Sequence, residues 1–361
     1  MMTTGDIFED EREKIKDPHT GREYTRLTKT SRNKHLYLYV NTFDTRGRLV
    51  FVSERDGYLN YYRMDLETGQ AMQLTRETEI AAAGLAWHSP RHNKLVYWAG
   101  RSIRLLDTDS LECMTVVDYP RFGGYLTLTS DGKHILTYSD TGTKADTPDG
   151  NKARVGPWEI FSIPVDDPAC IETPSGNSVV RTRCFVNHIQ ASPTDPDLVE
   201  YCWEGEWHPQ RMWSTNLAGT RGGPFGLQMP NERRGHEFWF SDGTKMGYHG
   251  TVTRNGQRRA IIGTVTSNGN NDWQLEVEEH LGHCMYHRGR DMWVTDRAGE
   301  DNALAIIHND DGKGRLERLC HHNSSWKSQG CHPHMQFSPN GERLVWTTDG
   351  EGVSQVYMME V

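Results

Sequence analysis

The sequence contains no long apolar segment. Nowhere in its 361 residues is there a run of about 20 apolar side chains, the length that a membrane-spanning helix requires. Residues 1–17 alternate acidic and basic side chains and lack the apolar core of about 7–15 residues found in secretory signals. These absences predict a protein that neither crosses a membrane nor carries a signal peptide.

Cysteine pairs and excess basic charge are also missing. The seven cysteines are scattered and never spaced as Cys-x-x-Cys, which predicts reduced thiols and a cytoplasmic location. The formal net charge is −9, with no polybasic stretch, which argues against a surface for phosphates or anionic lipids. We therefore expect no nucleic acid and no membrane among the partners, and a monomer or homodimer.

The composition favours short strands. Hydrophobic residues make up only 35% of the chain, whereas glycine (35 residues) and the aromatic residues (11 Trp, 14 Tyr and 10 Phe) are plentiful. Few aliphatic residues with many aromatic residues and glycines are typical of β-strands joined by tight turns.

One pattern occurs seven times: an alternating apolar run, a polar turn and a second alternating run. The turns lie 39 to 65 residues apart and are centred on Gly47, Asn93, Gly132, Asp197, Gly243, Gly289 and Gly341. Each copy is typical of a β-hairpin, and the usual spacing is close to the roughly 40–50 residues of a propeller blade. We predict an all-β, seven-bladed β-propeller, with the polar residues 139–156 as a surface excursion within one blade.

The two ends of the chain complement each other. The last copy ends after its third strand (354–361), and residues 20–28 supply a TGxxxxLT segment that has no hairpin before it. We therefore predict that residues 1–361 form a single domain. In it, residues 1–19 are an N-terminal extension and residues 20–28 are the outer strand that completes the last blade, so that the N-terminal strand closes the ring.

Five histidines lie on or just before the first strands of four different blades. In a propeller the first strands line the central channel, so these side chains are expected to converge at one mouth. The histidines are His188, His236, His283, His332 and His334.

The segment Gln329-Gly-Cys-His332-Pro-His334 has the spacing of a metal site. Alternate residues of an extended strand point to the same face about 6–7 Å apart, so the two imidazoles can share one divalent ion. Gln329 offers an amide oxygen, and His283 of the neighbouring blade offers a third nitrogen. Imidazole suits Zn, Fe, Ni or Cu, and oxygen ligands bring Mn into range. An isolated His-x-His pair is more often a surface or turn feature, so the residues alone leave the site open.

Two further residues suit acid–base and anion chemistry. His236 begins the strand HEFWF, where alternation places Phe238 on its own face and Glu237 and Trp239 on the other. A histidine at a channel mouth is a candidate general base. Arg211, in Gln210-Arg-Met-Trp213, is a candidate bidentate clamp for a carboxylate. Taken singly, each is more often a strand-end residue with a structural partner.

The chain resembles the oligogalacturonate lyase family of polysaccharide lyases. The matching segments run nearly end to end: TRLT at 25–28, residues 59–75, the RMW of Arg211, the HEFW of His236, His283, the segment 322–326, and Gln329 with His332-Pro-His334. The resemblance implies metal-dependent β-elimination at the uronate C5–H of short, unsaturated oligogalacturonides in pectin degradation, giving keto-deoxyuronate monomers.

The resemblance also implies roles for individual residues. It places the metal ligands, for Mn²⁺ as the expected cofactor, on His283, Gln329, His332 and His334. The catalytic residues fall on His236 and Arg211, and substrate contacts fall on His188 and Arg211. The alternatives are a lyase for another uronate-containing oligosaccharide and a non-catalytic propeller that binds proteins.

Overall fold

The computed structural model describes residues 4–80, 85–118, 124–140, 143–146, 152–167, 178–205 and 210–361. Within these ranges almost all regular structure is β-strand, with short 3₁₀ turns at Pro90–His92, Arg288–Arg290 and Gln329–Cys331. Among the described residues, no helix has the length and apolar character needed to span a membrane.

The strands are numbered in chain order. The first sixteen are β1 (Ile7–Phe8), β2 (Glu13–Lys16), β3 (Glu23–Arg26), β4 (Asn33–His35), β5 (Leu49–Ser53), β6 (Asn60–Met64), β7 (Ala71–Gln73), β8 (Trp87–Ser89), β9 (Lys94–Ala99), β10 (Ser102–Asp107), β11 (Cys113–Asp118), β12 (Thr127–Leu128), β13 (His134–Asp140), β14 (Thr143–Asp146), β15 (Lys152–Pro164) and β16 (Ser178–Cys184). The others are β17 (Val186–Ala191), β18 (Val199–Trp203), β19 (Met212–Thr215), β20 (Gly222–Pro224), β21 (Glu232–Trp239), β22 (Lys245–Arg254), β23 (Gln257–Thr266), β24 (Asn271–Val277), β25 (Cys284–His287), β26 (Met292–Thr295), β27 (Ala303–Asp310), β28 (Lys313–His321), β29 (Gln336–Phe337), β30 (Arg343–Thr348) and β31 (Gln355–Glu360).

These strands form seven antiparallel blades, which confirms the predicted propeller. From the inner strand outward, blades one, two and four are β4–β7, β8–β11 and β17–β20, and β1 adds to the outer edge of blade one. Blade three is β12, β13 and β15, with β14 and β16 both paired to β15. Blades five and six are β21–β24 and β25–β28, linked by a short parallel contact between β24 and β28. Inner strands of successive blades contact one another around the ring, as in β12 with β17 and β17 with β21.

The N-terminal strand closes blade seven. Its inner strands β29, β30 and β31 come from the end of the sequence, and β3 then pairs with β31, Thr25 opposite Met358. The strand β2 adds outside β3. The backbone N–H of Leu27 also donates to the Val356 carbonyl at 2.7 Å. Blade seven is therefore held together by hydrogen bonds between the two ends of the sequence.

The predicted turn residues adopt the conformations that tight turns require. Gly47, Gly132, Gly243 and Gly341 all have φ between 68° and 75°, a region open to glycine at little cost. In the sixth blade the left-handed position is Asp291 (φ 46°) rather than the expected Gly289. Aspartate tolerates this region better than most residues, so the hairpin turn survives the change.

The polar stretch 139–156 belongs to blade three where it is described. Residues 143–146 form β14 and pair with 152–155 at the start of β15. Residues 141–142 and 147–151 of the predicted excursion lie outside the described residues. Apolar side chains fill the space between blades, and Trp98, Trp158 and Trp346 are among the largest fully buried side chains. Five of the described cysteines, Cys113, Cys202, Cys284, Cys320 and Cys331, are free.

Candidate metal centre and active site

Three of the predicted site histidines share an unusual backbone conformation. His188, His236 and His334 have φ values of 47°, 49° and 48°, in the left-handed region that residues with a Cβ rarely occupy. His188 and His236 sit in bulges of β17 and β21, where the pairing register shifts. Such positions cost about 1–3 kcal/mol each and cluster at functional sites. The repeated conformation on blades four, five and seven brings these rings to one mouth of the channel.

His283, His332 and His334 form a group that can hold a metal ion. Their candidate ligand atoms all lie within 4.8 Å of one another. The ring centroids of His283 and His334 are 4.2 Å apart, and His332 lies 5.4 Å from each of them. Both ring nitrogens of the fully buried His334, and Nδ1 of His332, lack a hydrogen-bond partner. Buried nitrogens without partners are costly unless something binds them, and a divalent cation fits this donor set.

A buried carboxylate supports this group from behind. Asp296 accepts hydrogen bonds from His283 Nδ1 at 2.7 Å, from the His283 backbone N–H at 2.6 Å and from the His334 backbone N–H at 3.1 Å. Burial tends to raise the pKa of Asp296, but His283 and these donors lower it overall. The Nδ1–H of His283 is thus committed to Asp296, which leaves Nε2 free to bind an ion. No motif in the sequence marks Asp296 as a site residue.

Gln329 precedes His332 by three residues along the chain. It is an exposed residue on the 3₁₀ turn Gln329–Cys331, and its backbone carbonyl accepts from Lys34 Nζ at 2.6 Å. Its role as a metal ligand stays a prediction. The ring of Trp326 stacks on His283, with centroids 6.0 Å apart and planes 16° from parallel, and forms one wall of the site.

His236 packs against the group formed by His283, His332 and His334. Its ring also contacts a further histidine, His249. Its ring centroid is 4.3 Å from that of His283, and its Nδ1 is 2.8 Å from Nε2 of His249. Burial, followed by the neighbouring histidines, holds the pKa of His236 well below its ordinary value. His236 is therefore a neutral imidazole next to the metal group. His249, on β22, lies outside the motifs that mark the predicted site residues.

Arg211 lies at the start of β19 with its guanidinium between two carboxylates. Its Nε donates to Glu237 Oε2 at 2.8 Å, and its Nη1 lies 3.4 Å from Glu204 Oε1. The side chain is 11% exposed, and that of Glu237 is fully buried. Although burial opposes ionisation, Arg211 and His188 hold the pKa of Glu237 well below its ordinary value. The predicted carboxylate clamp is thus already paired with carboxylates of the protein.

His188 joins the arginine pair to an aromatic wall. Its Nδ1 is 3.0 Å from Glu237 Oε1, and its Nε2 is 3.4 Å from the Tyr37 hydroxyl. The rings of Tyr37, Tyr39 and Tyr125 lie 5.2 to 5.7 Å from the His188 ring. Tyr37 also meets His334, with centroids 4.7 Å apart, so the wall reaches the metal group.

The predicted alternation from His236 to Phe240 is confirmed. His236, Phe238 and Phe240 contact blade six, through His283, Trp293 and Tyr286 in turn. Glu237 and Trp239 contact blade four: Glu237 pairs with Arg211 and His188, and Trp239 Nε1 donates to the Gln190 carbonyl. The bulge between Gly235 and Phe238 does not remove this separation.

The fold and the site together define a class: β-propeller enzymes built around a histidine cluster at one channel mouth. The sequence model of one family, described as oligogalacturonate lyase, matches residues 3–361. The chain belongs to the oligogalacturonate lyase family, which are carbon–oxygen lyases, as the sequence resemblance predicts.

Individual relatives agree with this assignment. The chain is 26% identical to the oligogalacturonate lyase of Dickeya dadantii (strain 3937), over 96% of this chain and 95% of the relative. Identity and coverage are the same for the oligogalacturonide lyase of Pectobacterium atrosepticum.

Solved structures support the fold. An oligogalacturonate lyase from Vibrio parahaemolyticus superposes with a TM-score of 0.82 at 23% identity, covering 99% of both chains. Another, described as oligogalacturonate lyase in complex with manganese, gives the same TM-score and identity over 100% of this chain and 98% of the other.

Proposed function

We propose that the protein is a metal-dependent lyase that cleaves short oligogalacturonides, including unsaturated ones, by β-elimination. One observation carries the proposal: a group of three histidines, two of them with unpartnered ring nitrogens, lies directly against a neutral histidine that can accept a proton. A uronate C5–H is acidified by the carboxylate beside it, and its removal needs both a base and a positive charge near that carboxylate.

In this proposal His283, His332, His334 and Gln329 hold the divalent cation, and Mn²⁺ is the expected ion because a related lyase binds manganese. The donor set of imidazoles and one amide oxygen suits this ion. When bound, the cation stabilises the negative charge that develops on the uronate carboxylate. The four ligands carry no charge of their own, so the site favours an anionic substrate.

The hydrogen bonds of His249 select the reactive nitrogen of His236. His249 hydrogen-bonds the Gly282 backbone. The Gly282 N–H already donates to the Arg297 carbonyl, so Gly282 contributes its own carbonyl. Nδ1 of His249 therefore carries the proton, and its Nε2 accepts from Nδ1–H of His236. This leaves Nε2 of His236 with a free lone pair, and we assign it as the base.

The elimination then needs no water. Nε2 of His236 takes the C5 proton, the C5–H electrons form the C4=C5 double bond, and the bond from C4 to the glycosidic oxygen breaks. Arg211 lies beside this site and is positioned to neutralise the leaving oxygen or a substrate carboxylate. His188, on the same arginine, is the proposed substrate contact. The keto-deoxyuronate monomers follow from tautomerisation of the unsaturated product.

The products of digalacturonate distinguish elimination from hydrolysis. Purified protein is loaded with Mn²⁺ and incubated with saturated and unsaturated digalacturonate, and the products are weighed by mass spectrometry. Elimination gives two products whose masses sum to that of the substrate. Saturated digalacturonate yields one unsaturated uronate, or its keto-deoxyuronate tautomer, and unsaturated digalacturonate yields two. Hydrolysis adds the mass of one water, and a binding propeller leaves the substrate intact. Either of these two results contradicts the proposal.

A parallel incubation tests the sugar. Disaccharides of other uronates are compared with digalacturonate by kcat/KM under the same conditions. We expect the galacturonide to be the best substrate, and a faster reaction with another uronate would identify a lyase of different specificity.

The proposal extends to the cellular setting and the domain organisation. Five cysteines, Cys113, Cys202, Cys284, Cys320 and Cys331, are free thiols, in keeping with a reducing cytoplasmic location. We also propose that residues 1–361 act as one domain, because the two ends of the sequence share blade seven.

A further inference from the structure

A second group of possible ligand atoms lies beside the predicted metal centre. His188, Cys202 and Glu237 bring one candidate atom each to within 4.8 Å of one another, and all three are buried. The guanidinium of Arg211 already lies among these atoms, with Nε 2.8 Å from Glu237 Oε2 and Nη2 3.3 Å from His188 Nδ1. The cation of this group is therefore Arg211, and the question is what Glu237 does there.

Glu237 binds two site residues with its two oxygens. Oε2 accepts from Arg211 Nε at 2.8 Å, and Oε1 lies 3.0 Å from His188 Nδ1 and 3.5 Å from Arg211 Nη2. The side chain is fully buried, so no solvent competes for either oxygen. Two separate partners on one rigid carboxylate fix the distance between the arginine and the histidine.

The same contacts favour one tautomer of His188. Its Nδ1 lies 3.0 Å from Glu237 Oε1 and 3.3 Å from Arg211 Nη2. The arginine only donates and the carboxylate only accepts, and because the shorter contact is to the carboxylate we assign the proton to Nδ1. Nε2 of His188 is left as an acceptor that faces the Tyr37 hydroxyl.

Glu204, the other carboxylate on the arginine, is held differently. It lies 3.4 Å from Nη1 and its side chain is 34% exposed, whereas Glu237 binds Nε from the buried side. Nη1 of the guanidinium thus carries the looser contact. We therefore expect an incoming anion to bind at Nη1.

We propose that Glu237 is a positioning residue that holds Arg211 through Nε and Nη2 and His188 through Nδ1, so that Nη1 of Arg211 and Nε2 of His188 face an anionic sugar. This inference rests on the proposed lyase function for its catalytic consequence. Alternation along β21 makes the arrangement possible, because it turns the base His236 toward blade six and its neighbour Glu237 toward blade four.

The tautomer of His188 tests the positioning directly. The full chain is labelled with ¹⁵N-histidine and loaded with diamagnetic Zn²⁺, and the His188 signals are assigned by their loss in His188→Gln. We expect the Nδ1–H tautomer in the wild type and the Nε2–H tautomer in Glu237→Gln, because the amide turns a donor toward Nδ1. The Nε2–H tautomer in the wild type overturns the proposal, even if the variant fails to fold.

Kinetics test the catalytic consequence. For Glu237→Gln we expect kcat on digalacturonate to fall by about 10–100-fold, since small misplacements of a catalytic group cost this much. We expect KM to change little and the bound metal to stay the same. Glu237→Asp, which keeps the charge, should recover part of the lost rate.

A matched control is available on β22 and β24 of blade five. Glu276 forms the same kind of pair, 2.8 Å from Arg254 Nε, away from the site. Glu276→Gln should leave both the His188 tautomer and kcat as in the wild type.

Each outcome has one meaning. A changed tautomer with a lowered kcat supports the proposal, whereas an unchanged tautomer or an unchanged kcat in Glu237→Gln overturns it. If the wild type does not act on oligogalacturonides at all, the proposed function fails. The tautomer measurement then still decides whether Glu237 positions His188.

Discussion

Asp296→Asn should weaken metal binding without removing a single metal ligand. Three donors converge on this buried carboxylate: the backbone N–H groups of His283 and His334 and the ring Nδ1–H of His283. Asparagine has the same shape but offers one acceptor oxygen, and its NH₂ group would face a donor. The His283 ring would then lose the partner that fixes its orientation and leaves Nε2 free.

The expected loss of metal affinity follows from the role of a carboxylate that hydrogen-bonds a metal-binding histidine. Loss of a carboxylate behind a metal-bound histidine typically lowers metal affinity 10–100-fold, or by about 1.4–2.7 kcal/mol. Isothermal titration calorimetry of the metal-free protein with Mn²⁺ measures this change. Circular dichroism at the same temperature shows whether the propeller is intact.

Asp301→Asn provides the control for this variant. Asp301 lies in the same blade, but it is 47% exposed and pairs with Arg318 on the surface, at 2.7 Å. Its substitution should leave the Mn²⁺ dissociation constant unchanged. If folded Asp296→Asn also binds Mn²⁺ as tightly as the wild type, the assignment of Asp296 as the support of the metal centre is wrong.

Three further predictions test the base and the closure of the ring. His236→Ala should abolish nearly all turnover with unchanged metal content by elemental analysis, and retained activity would reject His236 as the base. His249→Gln, which keeps an acceptor for His236 Nδ1, should retain more of kcat than His249→Leu, and equal rates in the two variants would contradict the assigned tautomer. Asp17→Asn should lower the free energy of unfolding by about 1–3 kcal/mol in urea at pH 7, because Asp17 accepts three backbone N–H groups, including that of His321. Burial opposes ionisation of Asp17, but these donors lower its pKa overall. The difference from the wild type should therefore be present at neutral pH and shrink below about pH 4, as the wild-type carboxylate is protonated. If the difference in the free energy of unfolding between Asp17→Asn and the wild type stays constant from pH 7 to pH 3, the Asp17 carboxylate is not its cause.

The propeller could be predicted because its evidence is periodic. Each blade repeats a hairpin with its own turn residues, and local patterns of this kind survive in the sequence of a single chain. The closure of blade seven was also predictable, since the segment missing at one end is present at the other. The turn of the sixth blade shows the limit of periodicity, because its left-handed residue is Asp291 and not the expected Gly289. Either residue of the turn can take this conformation, and the sequence alone does not show which one does.

The site was predictable only where a motif marks it. His332 and His334 are recognisable by their spacing, and His236 and Arg211 by short motifs within a resemblance. Asp296 and His249 have no such signal, because each becomes important through a contact with a blade or strand whose position only the folded chain defines. An aspartate that directly follows a buried strand, as Asp296 does in WVTD, is only a weak indication of a site residue.

The role of Glu237 was hidden for a different reason. The alternation of HEFWF correctly separates Glu237 from His236, but it does not identify their partners. Arg211 and His188 belong to blade four, and only the folded chain brings them to Glu237. The bulge between Gly235 and Phe238 likewise depends on how β21 pairs with β22.

The shared blade has a consequence for synthesis on the ribosome. Residues 23–26 are made early, yet their pairing partner at 355–360 is made more than three hundred residues later. Two of the three clustered imidazoles, at positions 332 and 334, are likewise made more than three hundred residues after β3. A nascent chain therefore can neither pair β3 with β31 nor assemble the three imidazoles until these later residues have left the ribosome.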